Sequence, residues 1–367
     1  MGIPERIKAI QDEMARTQIN KATEHHIGLL KAKIAKLKRE QEEQAAKKSG
    51  MKQDGFDVRR AGDATVVLIG LPSVGKSTLL NRLTGANSAV GAFQFTTLTV
   101  VPGMMEYRGA RIQVLDLPGI IKGASSGRGL GKRILSVARS ADLVLLVLDV
   151  FQPYHRDVLV QELGNMGIRL NALPPNLTIE KAGSGGIAVA RLVGPTGITN
   201  GHIRDMLHLY GIMNARVVMR EDVTSEQLAD HLAGNAVYAK AITVLNKTDL
   251  VDGPFVEHVA GIIGAGFVGV SADSGSNVET LRDIIYESLN FIRIYMRPKG
   301  GPTDYDEPLI ARDGDTVEDV CNKLHRDMRR EFRYGLVWGS SVKFGGQRVG
   351  ISHVLHDEDV LTIIKRR

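Results

Sequence analysis

The residues best suited to chemistry form a phosphate-binding pattern. Residues 70–77 fit G-x-x-x-x-G-K-[ST], after an apolar run at 65–69 and before a helical pattern at 77–83, which is the context this motif requires. Small residues let successive backbone N–H groups converge on an anion, and the helix N-terminus adds partial positive charge. We therefore expect Lys76 to reach the outer phosphates and the Ser77 hydroxyl to ligate Mg²⁺. The predicted phosphate-loop residues are Gly70, Leu71, Pro72, Ser73, Val74, Gly75, Lys76, Ser77 and Thr78.

A second pattern, N-K-x-D at 246–249, follows the apolar run 241–245. The Asp249 carboxylate can accept hydrogen bonds from guanine N1–H and the 2-amino group. Adenine lacks that pair of donors and would leave the carboxylate desolvated and unpaired, which is a strong basis for rejection. Asn246 can bond the base edge and join neighbouring loops, and the Lys247 stem can lie over the ring. A polar turn after a strand is the alternative interpretation.

Weaker motifs complete the order expected of a guanine-nucleotide site. Asp116, after the run 111–115, can hold Mg²⁺ through water, and the Gly119 N–H can contact a γ-phosphate. One threonine hydroxyl within 95–99 can complete the Mg²⁺ shell, and backbone N–H groups of 271–273 can contact the guanine O6. Alone, each motif fits an ordinary turn or strand. The further predicted nucleotide-binding residues in these motifs are Phe95, Thr96, Thr97, Asp116, Leu117, Pro118, Gly119, Ser271, Ala272 and Asp273.

Each of these segments follows a predicted strand or lies between two of them, in an order that is not circularly permuted. Ligands bind outside the carboxyl ends of parallel strands in such sheets. The sequence therefore predicts an α/β fold with a mostly parallel sheet and helices on both faces, binding GTP or GDP with Mg²⁺.

The position that holds a water-orienting glutamine in Ras-like GTPases is Ile120 here. Isoleucine neither donates nor accepts a hydrogen bond, so we expect slow intrinsic hydrolysis and no visible catalytic base. A partner side chain, a monovalent cation such as K⁺, or a group from the glycine-rich run 123–129 could assist. Arg128 in that run is either an arginine finger or a solvated charge.

Composition narrows the class of protein. The chain has 367 residues and a net charge of +6, which favours an anionic partner such as RNA. Its single cysteine, Cys321, excludes an internal disulfide and a cysteine-based metal site; we expect this side chain in a helical core stripe. No membrane span or signal peptide is apparent, so a cytoplasmic location is expected.

Periodicity divides the chain into four parts. Residues 1–50 predict a helical hairpin; 62–163 and 239–290 form the nucleotide-binding domain; 164–238 form an inserted α/β subdomain; and 291–367 predict one helix on a small mixed sheet, the β-grasp arrangement. We expect Trp338 in the last core and His202, His208 and His231 at the surface. Two basic stripes are either solvated faces or binding surfaces: Lys31, Lys33, Lys36, Lys38 and Arg39 in the hairpin, and Lys323, His325, Arg326, Arg329, Arg330 and Arg333 near the end.

The motifs at 70–77, 95–99, 116–121 and 246–249 resemble those of the Obg-related GTPases of the translation-factor class. The stretches at 13–18, 21–23, 26–33, 167–171 and 336–339 resemble the developmentally regulated GTP-binding protein (DRG) family, of archaeal type, and the resemblance covers essentially the whole chain.

This resemblance implies a GTPase domain, a ribosomal-protein-like insertion and a C-terminal TGS domain of β-grasp type. It also implies that Thr97, rather than Thr96, is the Mg²⁺ ligand, so the expected catalytic set is Lys76, Thr97 and Gly119. Ser73 replaces the asparagine of cation-activated relatives, which weakens the case for K⁺. The implied partners are ribosomes or RNA, bound through the basic hairpin and the TGS domain, and a regulatory protein; no membrane and no DNA preference is expected.

Two other functions remain open from the sequence. One is a nucleotide-gated RNA-binding or ribosome-binding scaffold with negligible turnover, in which GTP only orders the switch loops. The other is an ATPase, for which the Asp249 carboxylate would not decide the base.

Overall fold

The computed structural model describes residues 2–18, 20, 23–48, 61–85, 101–117, 130–194, 197–264, 266–325 and 327–366. The predicted site residues at 95–97 and 118–119, together with Ile120 and Arg128, lie outside this part of the chain. The contacts divide the protein into two compact units. One joins Met1–Asp57 to Leu163–Ala239, and the other joins Val58–Glu162 to Lys240–Arg367.

Helices and strands are interspersed along the described chain after two initial helices. The first half contains α1 (Ile3–Arg16), α2 (Glu24–Lys48), β1 (Ala64–Ile69), α3 (Lys76–Thr84), β2 (Val101–Tyr107), β3 (Ala110–Asp116), α4 (Leu130–Ser140), β4 (Leu143–Asp149), α5 (His155–Asn165), β5 (Ile168–Leu170), β6 (Leu177–Lys181) and β7 (Ile187–Arg191). The second half contains α6 (Asn200–Leu209), β8 (Ala215–Met219), α7 (Ser225–Ala233), β9 (Val237–Ala239), β10 (Ala241–Asn246), α8 (Gly253–Ile263), β11 (Phe267–Gly269), α9 (Val278–Ser288), β12 (Phe291–Met296), β13 (Leu309–Arg312), α10 (Val317–Leu324), α11 (Met328–Glu331), β14 (Phe332–Trp338), β15 (Gln347–Val349) and β16 (Val360–Lys365).

The mostly parallel sheet that the sequence predicts is confirmed in the second unit. Its six strands lie in the order β11-β10-β4-β1-β3-β2, and only β2 runs antiparallel to its neighbour. All six residues of β1 are buried, as are the first six of β4. Strands buried on both faces need nearly continuous apolar sequences, which is why these runs could be recognised without an alternating pattern.

The C-terminal part of this unit has the predicted β-grasp arrangement. Its sheet has the order β13-β12-β16-β14-β15, and α10 buries Val317, Val320 and Cys321 against it. The core position predicted for Cys321 is confirmed, whereas Trp338 is only half-buried, under the Arg297 guanidinium. This sheet also shares an apolar cluster with the parallel sheet through Phe291 and Ile310.

The helix predicted to carry the C-terminal basic stripe is shorter than expected. It ends at Leu324 because His325 adopts an extended backbone, with φ −165° and ψ 144°. The described basic residues of this stripe are therefore spread over α10, the turn at His325, α11 and the start of β14. They do not share one helical face. Arg329 pairs with Glu318 at 2.6 Å.

The other unit combines the N-terminal helices with the inserted segment. The insertion forms a three-stranded sheet, β6-β8-β7, and a parallel pair, β5-β9. Ala32 of α2 is fully buried in the same apolar cluster as Ile203 of α6 and Leu228 of α7. Segments that the sequence analysis treats as separate domains thus share one core, because α2 carries an apolar face that α6 and α7 cover.

One surface prediction in this unit is wrong. His202 is only 4% exposed and packs edge-on against His25, with ring centroids 4.2 Å apart; His208 and His231 are exposed as predicted. Among the described residues, none of the helices is both long and apolar enough to cross a membrane.

Candidate nucleotide site

The sequence motifs converge because their strands are parallel. β3, β1, β4, β10 and β11 pair side by side in one direction, so the loops that follow them open at the same edge of the sheet. Ligands bind at this edge in open α/β sheets. The phosphate loop, Asp116, the N-K-x-D turn and the loop 271–273 are therefore neighbours, although the chain between the first and the last exceeds half its length.

Two glycines let the phosphate loop lie close to its surroundings. A Cβ on Gly70 would lie 2.4 Å from the Val147 carbonyl oxygen, and one on Gly75 would lie 2.3 Å from Asn246 Nδ2. Gly75 also has a φ of +90°, which L side chains rarely adopt. Ser73 takes a φ of +65° without being glycine. The loop thus needs glycine at both fixed positions of the motif, for steric reasons that are independent of any ligand.

Lys76 begins α3 and folds back over the loop. Its ammonium group, in a side chain only 7% exposed, donates to the carbonyl oxygens of Gly70 at 3.1 Å and Leu71 at 2.9 Å. Burial lowers the pKa of Lys76 below its ordinary value, and the nearby Asp116 carboxylate opposes part of that shift. A phosphate anion beside this amine would favour its charged form.

Ser77 and Asp116 meet as a metal-binding pair would require. The Ser77 hydroxyl donates to Asp116 Oδ2 at 2.6 Å. Asp116 is 8% exposed, and its Oδ1 is buried without a hydrogen-bond partner in the described part of the chain. A buried carboxylate oxygen needs a partner, and hydroxyl and carboxylate oxygens suit Mg²⁺. These residues therefore fit the ion that the sequence predicts.

Asn246 joins the two ends of the site. Its side-chain amide donates to the Val74 carbonyl oxygen in the phosphate loop at 2.8 Å, and its side-chain oxygen accepts from the Ala272 N–H at 2.9 Å. Asn246 is 2% exposed. Both ends of its amide are used, so it fixes the distance between the phosphate loop and the loop 271–273.

Of the other N-K-x-D residues, Lys247 is half-buried and Asp249 is exposed. Lys247 has a left-handed backbone, with φ +69°, and its ammonium pairs with the Asp149 carboxylate at 2.6 Å. Asp249 is exposed within a single 3₁₀ turn, Thr248–Leu250. The Asp249 carboxylate is thus accessible to a ligand, and the Lys247 ammonium is held by Asp149.

In the loop 271–273, two of the three backbone donors already have partners. The Ser271 N–H donates to the Ser276 carbonyl oxygen at 3.0 Å, and the Ala272 N–H donates to Asn246. The expected contact with a guanine O6 therefore falls to Asp273 in this arrangement. The loop is held from outside by Arg82, whose Nε donates to the Ala272 carbonyl oxygen at 2.9 Å.

Two residues near the site were missed by the sequence analysis. Asp149 could have been found, since it ends the apolar strand β4 at the ligand-binding edge. Arg82 could not, because its partner Ala272 is 190 positions away and no local pattern marks such a pair.

Comparisons with known proteins identify the family to which the chain belongs. Residues 65–181 match the family model described as "50S ribosome-binding GTPase", 184–291 match the C-terminal region of that domain, and 292–365 match the TGS domain. An uncharacterized GTP-binding protein of Methanocaldococcus jannaschii is 51% identical, with coverage of 100% of this chain and 94% of that protein. The developmentally-regulated GTP-binding protein 2 homolog of Dictyostelium discoideum is 45% identical over 100% of both chains. Ribosome-interacting GTPase 1 of Saccharomyces cerevisiae is 46% identical over 99% of both.

The fold and the site define a P-loop protein of the GTPase class, with a TGS domain at its C-terminal end. Full-length similarity at this level places the chain in the developmentally regulated GTP-binding protein family, among the Obg-related GTPases.

Proposed function

We propose that this protein binds GTP with Mg²⁺, hydrolyses it slowly to GDP and phosphate, and acts as a switch on ribosomes or RNA. Residues 70–78 hold the phosphates, and the Lys76 ammonium neutralises the charge that develops on them. The Ser77 and Thr97 hydroxyls hold Mg²⁺ and Asp116 supports it through water, while the Gly119 N–H senses the γ-phosphate. When bound, Mg²⁺ supplies further neutralisation of the phosphate oxygens. Asn246, Lys247 and Asp249 select guanine, with the loop 271–273 beside them.

The bridge made by Asn246 is the observation that carries guanine-nucleotide binding. A residue that hydrogen-bonds both the phosphate loop and the loop 271–273 sets a fixed span between a phosphate site and a base site. The accessible Asp249 carboxylate at the base end then favours a purine with a 2-amino group.

Base selection can be tested by calorimetry with GDP, ADP and XDP. We expect GDP to bind most tightly to the natural protein. Asp249→Asn should weaken GDP and strengthen XDP, because the 2-oxo group of xanthine accepts a hydrogen bond from the new amide. Unchanged nucleotide preference in this variant would favour the ATPase alternative, and the absence of binding to any of the three would refute the nucleotide site.

Slow turnover is expected because Ile120 stands where a water-orienting glutamine is found in other GTPases. Single-turnover hydrolysis of γ-labelled GTP, with and without ribosomes, measures this directly. We expect slow phosphate release that ribosomes accelerate. Replacing K⁺ by Na⁺ in the same assay tests a monovalent cation beside Ser73. Undetectable phosphate in every condition would instead favour the nucleotide-gated scaffold.

For the partner surface, contacts of the described residues favour the TGS domain over the hairpin. Among the hairpin cations, Lys31, Lys36, Lys38 and Arg39 donate to groups within their own unit. Arg348 of the TGS sheet is exposed and stacks on Tyr334, with its guanidinium carbon 4.1 Å from the ring centroid. A flat guanidinium on an aromatic ring suits stacking on RNA bases. A cytoplasmic location and a regulatory protein partner belong to the same proposal.

A further inference from the structure

Arg82 connects the helix of the phosphate site to the loop of the base site. It lies in α3, which begins at Lys76. Its Nε donates to the Ala272 carbonyl oxygen at 2.9 Å, and its Nη2 donates to the carbonyl oxygen of Asp273. One planar guanidinium therefore holds two successive peptide groups, a geometry that its fixed fork of donors permits.

These two contacts determine which way the Asp273 backbone N–H points. In a trans peptide, the carbonyl oxygen of one residue and the N–H of the next point in opposite directions. Holding the Ala272 carbonyl oxygen on Arg82 therefore turns the Asp273 N–H away from the guanidinium. Because the Ser271 and Ala272 N–H groups already have partners, Asp273 carries the donor of this loop that is left for a base.

Two further residues lie next to Arg82. Nη2 of Arg282 donates to the carbonyl oxygens of Arg82 at 2.8 Å and Leu83 at 2.9 Å, at the end of α3. Gly275 has a φ of +82°, and a Cβ there would lie 3.8 Å from Arg82 Nη1. The guanidinium thus lies between α3 and the turn that closes the loop.

We propose that Arg82 is a positioning residue for guanine: it orients the Asp273 N–H toward the 6-oxo group of the base. This inference rests on the proposed binding of GTP and GDP. Arg82 touches neither the nucleotide nor the metal in this role; it acts through the two peptide groups that it holds.

The test compares GDP, 6-thio-GDP and IDP in calorimetry with the full-length natural protein, Arg82→Met and Arg82→Lys. Sulfur is a weaker acceptor than oxygen, so the affinity ratio of GDP to 6-thio-GDP reports the 6-oxo contact. The ratio of GDP to IDP reports the 2-amino contact with Asp249. We expect Arg82→Met to reduce the first ratio about three- to tenfold, the effect of one hydrogen bond, and to leave the second ratio unchanged. The ratio of GDP to 6-thio-GDP for Arg82→Lys should lie between those of the natural protein and Arg82→Met, since an ammonium is a cation but lacks the planar fork of donors.

Arg282→Met is the matched control, because it removes an arginine that holds α3 but not the loop, and we expect it to keep both ratios. An unchanged 6-oxo ratio in Arg82→Met would overturn the assignment. An equal fall in both ratios would also overturn it, since that result describes general loosening of the base end. If the natural protein itself bound no GDP, the proposed function would fail instead, and the two failures are therefore distinguishable.

Discussion

The N-terminal hairpin and the TGS domain both carry cations, but individual cations in the two regions use their charge differently. In α2, the cations are directed at the ends of other helices: Lys36 donates to the Leu209 carbonyl oxygen at 2.9 Å, Lys38 to that of Asn165, and Arg39 to that of Ala233 at 3.4 Å. Those three acceptors are the last residues of α6, α5 and α7. Cations are stabilising there because carbonyl groups at helix C-termini lack partners and carry partial negative charge.

In the TGS domain, two arginines lie instead on aromatic rings. The Arg297 guanidinium carbon lies 4.9 Å from the Trp338 ring centroid, and that of Arg348 lies 4.1 Å from the Tyr334 ring centroid. Arg348 forms no ion pair among the described residues. A run of lysines and arginines therefore does not by itself identify a binding surface. A cation that caps a helix has its partner, whereas one stacked on a ring keeps donors for another molecule.

The largest effect should come from removing the helix-capping cations together. In a triple variant, Lys36→Met, Lys38→Met and Arg39→Met, each change removes a charge-assisted hydrogen bond at a helix end. We expect the free energy of unfolding to fall by about 3 kcal/mol in total, with RNA affinity little changed. Urea denaturation and RNA titration measure the two effects. Lys33→Met is the control. A triple variant that kept natural stability but bound RNA more weakly would show that these cations bind RNA and do not cap helices.

Acidification should loosen the same unit through His202. Burial, followed by the charge on His25, lowers its pKa from 6.5 to about 4, against an opposing effect of Asp205. Between these values the unfolded chain binds a proton that the folded unit does not. The free energy of unfolding should therefore decrease as the pH falls from 6.5 to 4, by at most about 3 kcal/mol, and level off below.

Chemical denaturation across this pH range tests the His202 effect. His202→Gln should flatten the pH dependence, whereas His208→Gln, at an exposed position, should keep it. An identical slope in the natural protein and His202→Gln would assign the effect to other groups.

A single methyl group tests how closely α2 is packed. A Cβ on Gly28 would lie 2.6 Å from His202 Cε1 and 2.9 Å from Ser225 Cβ. Gly28→Ala should therefore lower the free energy of unfolding by about 1–2 kcal/mol, although alanine favours helix formation. Thermal denaturation measures this, with Gly261→Ala in α8, where a Cβ meets nothing within 4 Å, as the control. A more stable Gly28→Ala protein would show that α2 is not held this tightly.

Substitution of the two stacked arginines in the TGS domain should have the smallest effect on stability but should clearly weaken RNA binding. Arg297→Met combined with Arg348→Met should weaken binding of single-stranded RNA about tenfold, or about 1.4 kcal/mol. It should cost less than about 1 kcal/mol of folding free energy, because both guanidinium groups are partly solvated. Fluorescence anisotropy with a labelled RNA measures the binding. If this double variant kept its RNA affinity and the α2 triple variant lost RNA affinity, the RNA-binding surface would be assigned to the hairpin.

Predictions from the sequence were most accurate for elements that a single local pattern defines. The strands before Gly70, Asp116 and Asn246 are continuous apolar runs, and Cys321 belongs to a helical stripe, so their positions follow from periodicity. The break at His325 was missed because one extended residue ended the helix within an otherwise helical pattern. His202, Arg82 and the cations of α2 were missed or left open because their partners are distant in sequence. A pairing across 190 positions, such as Arg82 with Ala272, leaves no periodic trace.

The shared core of α2 and the insertion has a consequence for how the chain is made. The Tyr210 hydroxyl donates to the Ala32 carbonyl oxygen across 178 positions, and Leu30 and Ala32 are almost completely buried. A nascent chain therefore displays this apolar stripe long before the residues that cover it have been synthesised. Until then the stripe is open to chaperones and to other nascent chains, so α2 must wait for residues far along the chain before it can reach its native neighbours.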